Sequence, residues 1–195
     1  MKKDIILAGV GGQGILSIAA TIGLAAVEAG LYLKQAEVHG MSQRGGDVQS
    51  NLRLSDKEIA SDLIPQGKAD MILSVEPMES LRYLPMLAPD GWLVTNTTTF
   101  VNIPNYPEKE DIMAEIQKQP RHITLDADQI AKDLGSSRAA NMVVLGAALP
   151  FLDIDYKHIE TAVHQLFGRK GEKVVNLNLE ALRAGREISE KKIQA

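Results

Sequence analysis

Cysteine is absent from all 195 residues. A chain without thiols holds neither a disulfide framework nor a thiolate-ligated zinc or iron–sulfur centre, so any such group has to come from a partner. An excess of basic residues is also missing: 21 lysines and arginines face 25 aspartates and glutamates, for a formal net charge of −4, and no dense basic stripe stands out. That argues against a nucleic-acid binder, whose affinity rests on neutralising phosphates. No run approaches the roughly 20 apolar residues that cross a bilayer. The start, Met1-Lys2-Lys3-Asp4, leads into a short apolar stretch that dissolves into glycines before any small-residue cleavage site, so a cytoplasmic protein without membrane contact is expected. What is present is 45% apolar residues, enough for one sizeable core. One domain over 1–195 is the expectation, with about 139–195 mainly helical.

The most informative stretch follows the apolar run Ile5-Ile6-Leu7-Ala8: Gly9-Val10-Gly11-Gly12-Gln13-Gly14. A strand that breaks into glycines and then into a helix suits a negatively charged group, because the backbone approaches closely and the first N–H groups of the helix point outward with the positive dipole end behind them. Gly9, Gly11 and Gly14 match the dinucleotide fingerprint G-x-G-x-x-G, and Gly9 and Gly14 also match the outer glycines of a P-loop. A P-loop fails at the next step, since Ile15-Leu16 stands where the lysine and the Mg²⁺-binding hydroxyl belong.

Periodicity predicts a buried strand over about Asp4 to Ala8, an almost wholly apolar helix from Gln13 to about Ala29 ended by Gly30, and a strand from Leu31 to Val38 that completes a β-loop-α-β unit. Asp47 to Leu54 alternates and reads as a half-exposed strand, so the sheet is mixed. Further strands are expected at Ala69 to Val75, Trp92 to Thr95 and Ile123 to Leu125, with a turn at Pro89-Asp90-Gly91 and an exposed loop from Asn102 to Pro107. Helices are expected at Glu76-Pro77, Ala127 to Leu134, Ala139 to Leu149, Tyr156 to Phe167, and Leu179 to about Glu190, the last frayed at Lys191-Lys192. The fold class is α/β, a three-layer α/β/α sandwich with a mixed, mostly parallel sheet and a Rossmann-like start.

A dinucleotide domain also wants an acid about 20 positions beyond its glycines, and Glu37 is near that place. Val38 to Gly46 does not read as a second crossover helix, however, so the second βα unit of a nicotinamide domain is missing. His122, His158 and His164 read as solvated residues, and His158 and His164 are not spaced to share a helical face as metal ligands. Glu76 and Glu79 read as first-turn carboxylates that serve a helix dipole. The remaining candidate is the loop His39 to Gly46. There Gly45 and Gly46 either turn a corner or let a phosphate or another subunit approach, while Arg44, with Ser42 and Gln43 beside it, offers donors to an anion.

Gly9-Val-Gly-Gly-Gln-Gly14, Glu37-Val-His-Gly-Met-Ser-Gln-Arg-Gly-Gly46 and the strand ending Asn51-Leu-Arg-Leu-Ser55 together resemble the gamma-type domain of 2-oxoacid:ferredoxin oxidoreductases over most of the chain. With Leu63-Ile-Pro65, Glu76-Pro77 and Leu81-Arg-Tyr-Leu-Pro85 added, the wording is most similar to the beta subunit of the indolepyruvate-using members. The resemblance implies a subunit of an enzyme that converts aryl 2-oxoacids and CoA to acyl-CoA, CO2 and reduced ferredoxin. It places thiamine diphosphate and the iron–sulfur clusters on a large alpha subunit, with no cofactor held by this chain alone, no metal site and no catalytic residue here. Gly9, Gly11, Gly12, Gln13, Gly14, Ser42, Gln43, Arg44, Gly45 and Gly46 are then expected to border coenzyme A, the co-substrate, and the large subunit. A gamma subunit acting on pyruvate, 2-oxoisovalerate or 2-oxoglutarate is the near alternative, and a stand-alone NAD-binding protein or an interaction module the distant one.

Overall fold

Alternation along the first strand divides the molecule into layers. In the computed structural model, which describes residues 1–40 and 45–194, β1 (Lys2–Val10) sends Ile5 and Leu7 into a large core on one face and Ile6 into a smaller core on the other. The chain continues through α1 (Ile15–Glu28), β2 (Tyr32–His39), β3 (Asp47–Ser55), β4 (Ala69–Ser74), α2 (Pro77–Arg82), β5 (Leu87–Asn96), α3 (Lys109–Gln117), β6 (His122–Leu125), α4 (Ala127–Asp133), α5 (Ala140–Ala148), α6 (Tyr156–Phe167) and α7 (Glu172–Gln194). The strands form one sheet in the order β2-β3-β1-β4-β5-β6. β3 runs antiparallel to both β1 and β2, while β1, β4, β5 and β6 are mutually parallel. Helices α1, α4, α5, α6 and α7 pack on the face of Ile5, and α2 and α3 on the face of Ile6. The α/β/α sandwich with a mixed sheet is therefore as expected.

Strand order corrects one feature of the expected start. β2 does run parallel to β1, but β3 lies between them, so no adjacent β-α-β unit forms. Glu37 on β2 consequently stands two strand spacings from β1, roughly 10 Å, where a dinucleotide fold would have it next door. Three local departures also have physical causes. Pro89-Asp90-Gly91 is no turn but part of β5, where a register irregularity against Ala69 and Met71 absorbs the extra residues. Proline is tolerated there because β6 pairs only with Leu93 to Asn96, leaving the first half of β5 without a neighbour on that side. α3 was not expected from its largely polar sequence; Ile112 and Ile116, one turn apart, are buried and supply its anchor. α7 starts at Glu172, well before Leu179, and continues through Lys191-Lys192 to Gln194, because Val175, Asn178 and Leu179 are buried with the rest of its inner face.

α5 and α7 approach until their backbones touch. A Cβ on Gly146 would lie 2.8 Å from the carbonyl carbon of Leu182, and one on Gly185 would lie 2.8 Å from the amide nitrogen of Ala147. The hydroxyl of buried Ser189 donates to the Ala147 carbonyl at 2.6 Å and closes the same contact. Among the described residues no helix is long and apolar enough to cross a membrane.

Candidate ligand site at the glycine loops

β1 and β4 are neighbours whose following helices leave on opposite faces of the sheet, α1 toward the large core and α2 toward the small one. Such a divergence opens a crevice at the carboxyl ends of the strands, the place where ligands bind in open α/β sheets. The first glycine loop sits at its rim. Gly14 adopts a φ of +84° as the N-cap of α1, with no side chain capping the helix and no acidic residue in its first turn. The N–H groups of Ile15 and Leu16 lie in that first turn and have no partner within the helix. Gly12, at a φ of +102°, has nothing within 4 Å of where a Cβ would be, so a ligand can rest on its backbone.

The two glycine loops are in direct contact. The Gly11 N–H donates to the Gly46 carbonyl at 2.8 Å, and the Gly45 N–H to the Gly11 carbonyl at 3.4 Å. Asn102, in the loop after β5, donates from Nδ2 to the Gly45 carbonyl at 2.8 Å, and the Tyr83 hydroxyl donates to Asp47 Oδ2 at 2.9 Å. Burial and the bond to the Asp47 carboxylate both push the Tyr83 hydroxyl far above its ordinary pKa, so it remains a donor. Ser42, Gln43 and Arg44 lie outside the described residues. Gln13 has a structural duty, since its Oε1 accepts the Val10 N–H at 2.8 Å and tightens the loop. Gly9 is buried, and a Cβ there would collide with Val75 and lie 2.9 Å from Ile15 Cδ1, so it serves packing.

Two clefts flank the Gly12 turn. One, of about 540 Å³, runs over the ends of β4 and β5 and the start of α4, from Gly12 past Val75, Asn96 and Asp128 to Arg138, Asn141 and Lys170. The other, of about 370 Å³, is walled by Val10, Ile15, Leu16 and Val48, with Glu37 and His39 from the edge strand. Glu37 Oε2 is shielded from solvent and has no hydrogen-bond partner among the described residues. Asn141 joins the far wall of the larger cleft to the loop, donating from Nδ2 to the Gly14 carbonyl at 3.1 Å across 127 positions of sequence. Arg138, Lys170 and Asn141 were not anticipated. A lone asparagine in the first turn of an apolar helix was the one visible signal.

The carboxylates of α2 are structural, as expected. Glu76 is fully buried and caps the helix, accepting the Glu79 N–H at 2.8 Å. It also accepts the Phe100 N–H at 3.1 Å and the Tyr106 hydroxyl, and so ties down the loop that carries Asn102. Among the described residues no cluster of three or more acidic and histidine side chains is placed to hold a metal ion. The arrangement provides an open glycine turn, unpaired helix N–H groups and two walls of unlike charge. It can position an elongated anionic molecule, and among the described residues it contains no paired acid and base for proton transfer.

A layered α/β subunit with a ligand crevice at two joined glycine loops is the class of protein so defined. Residues 4–188 match the model of the pyruvate ferredoxin/flavodoxin oxidoreductase family, and the chain belongs to that family as a subunit of an oxidoreductase complex. It is 37% identical over 194 residues to the indolepyruvate oxidoreductase subunit IorB of Archaeoglobus fulgidus, covering 95% of this chain and 94% of that one. The IorB subunit of Pyrococcus horikoshii is 34% identical over 196 residues, with 95% of each chain covered. Among solved structures, the 2-oxoglutarate:ferredoxin oxidoreductase of Magnetococcus marinus, with 2-oxoglutarate, coenzyme A and succinyl-CoA bound, superimposes with a TM-score of 0.78 at 24% identity. That likeness, which concerns the fold, covers 97% of this chain and 31% of the other, so this chain spans about a third of that one.

Proposed function

We propose that this chain is the small subunit of an indolepyruvate:ferredoxin oxidoreductase, converting aryl 2-oxoacids and coenzyme A to acyl-CoA, carbon dioxide and reduced ferredoxin. The observation that carries the proposal is likeness along nearly the whole of both chains to subunits named for indolepyruvate. A chain without cysteine has no ligands for an iron–sulfur cluster, which agrees with placing the clusters and the thiamine diphosphate on a larger partner. Thiamine diphosphate on that partner supplies the carbanion stabilisation that decarboxylation requires. This chain contributes a docking face and a border of the coenzyme A channel at Gly12, where the open backbone allows an elongated ligand to approach closely.

The test is anaerobic purification of the tagged chain from its native host, identification of companions by mass spectrometry, and dye reduction with a panel of 2-oxoacids. Recovery of one large subunit, with CoA-dependent turnover and the highest kcat/KM on indolepyruvate, is the expected result. A higher kcat/KM on pyruvate, 2-oxoisovalerate or 2-oxoglutarate overturns the substrate assignment. A lone chain that binds NADH and reduces no dye overturns the whole proposal.

A further inference from the structure

Among the described residues the two clefts beside Gly12 differ in charge, and that difference gives a bound coenzyme A a direction. We propose that its phosphate-bearing end occupies the larger cleft, held by Arg138 and Lys170, while its uncharged pantetheine arm crosses Gly12 toward Glu37; this rests on the coenzyme A role proposed above. The larger cleft brings two cations, Arg138 and Lys170, to a space otherwise carrying one carboxylate, Asp128. Asp128 Oδ2 is already engaged by Asn96 Nδ2 at 2.8 Å, whereas neither cation is in an ion pair among the described residues. Lys170 rests its ammonium 5.4 Å from the Phe167 ring centre, which holds it at the cleft without neutralising it. Exposed guanidinium and ammonium groups lining one cleft make a phosphate site, the first bidentate and the second a point charge.

The smaller cleft has the opposite character. Its carboxylate, Glu37, has an oxygen shielded from solvent and lacking a donor among the described residues, above apolar walls. Phosphate next to that oxygen would be repelled at low dielectric, but an amide N–H or a hydroxyl satisfies it. Pantetheine offers two amides and a hydroxyl on an otherwise apolar chain. Between the clefts, a side chain at position 12 would obstruct the crossing, and none is present.

The test uses the purified complex, with coenzyme A as substrate and adenosine 3′,5′-bisphosphate, which has phosphates but no pantetheine, as competitive inhibitor. Arg138→Gln and Lys170→Gln are each expected to raise the KM for CoA and the Ki for the bisphosphate by the same factor, about tenfold, and to flatten the salt dependence of both constants. Arg138→Lys, which keeps the charge but not the planar fork, restores only part of the loss. Glu37→Gln is expected to raise the KM for CoA with no change in the bisphosphate Ki. If the double glutamine variant keeps both constants while the wild-type complex depends on CoA, the direction is wrong and the coenzyme A role survives. If Glu37→Gln lowers the bisphosphate Ki, the phosphates lie on the other side. A wild-type complex that turns over without CoA refutes the underlying role itself.

Discussion

Replacing Gly185 by alanine sets helix propensity against packing. Alanine in a helix interior gains about 1 kcal/mol over glycine, so an unobstructed site would be stabilised. At Gly185 the added Cβ meets the carbonyl group of Val143 and sits 2.8 Å from the Ala147 nitrogen, and both partners are backbone. A side chain could rotate away, but a helix backbone relieves the clash only if α5 and α7 separate. That breaks the opposing contact of Gly146 with Leu182 and the Ser189 hydrogen bond to Ala147 as well. Overpacking costs typically about 1–3 kcal/mol, and an incompressible contact belongs at the top of that range or above it. The net loss is therefore about 2 kcal/mol or more, which for a chain of this length lowers Tm by roughly 4–8 °C. Gly168 is the internal control, because it has helical φ and ψ of −55° and −38° and open space around it. Gly168→Ala should leave Tm unchanged or raise it. Circular dichroism melts of the purified variants read both changes. A Gly185→Ala protein that melts at or above the wild type would refute the claim that backbone contact limits this interface.

Two further outcomes follow from buried charge. Asp4 is fully buried and held by Arg53 through bonds of 2.8 and 3.0 Å, while Arg53 also donates to the carbonyls of Ser61 and Leu63 at 3.0 and 2.9 Å. Arg53→Ala strands the carboxylate with Lys2 as its remaining cation and should cost roughly 3–5 kcal/mol, read as a lowered urea midpoint with an unchanged slope. Burial raises the pKa of Glu79 above its ordinary 4.5, against the opposing pull of Arg82. The folded state thus holds this proton more tightly than the unfolded chain. The resulting stability is fully present below pH 4.5 and is lost as pH rises through the folded value. The urea midpoint of the wild type should accordingly fall relative to that of Glu79→Gln as pH rises from about 4 to 7, and a relative rise would contradict the assignment.

The elements were legible where a local pattern is sufficient. The alternation of Asp47 to Leu54 and the apolar runs of β1 and β4 report burial on one face or two, and the helices over 127–134, 139–149 and 156–167 carry their own periodicity. Strand order is not a local property. Nothing in the residues of β2 states that β3 will pair with it along its full length and with β1 on the other side. The same limit applies to the site. The glycine loops meet because both follow strands that end on one edge of the sheet. Arg138, Asn141 and Lys170 were not legible, because they come to the cleft beside Gly14 from more than a hundred residues away in sequence, and only Asn141 bonds to it.

The glycines themselves show why a motif match and a site are different things. Gly9, Gly11 and Gly14 satisfy G-x-G-x-x-G, yet each has a duty within the chain. Gly9 leaves room for Val75 and Ile15, Gly11 exchanges backbone bonds with Gly45 and Gly46, and Gly14 combines a positive φ with Asn141 Nδ2 only 2.5 Å from where a Cβ would stand. The glycine that leaves space for a ligand is Gly12, which occupies a free position of the fingerprint. A dinucleotide domain needs its middle glycine open to the pyrophosphate. Here both backbone groups of that glycine are engaged by a second loop, and the open backbone lies one residue along, where the chain turns from the Glu37 cleft to the Arg138 cleft. The pattern is met for reasons of backbone geometry while the candidate ligand surface is built from different atoms, so the flanking clefts are the better guide to the chemistry of a ligand.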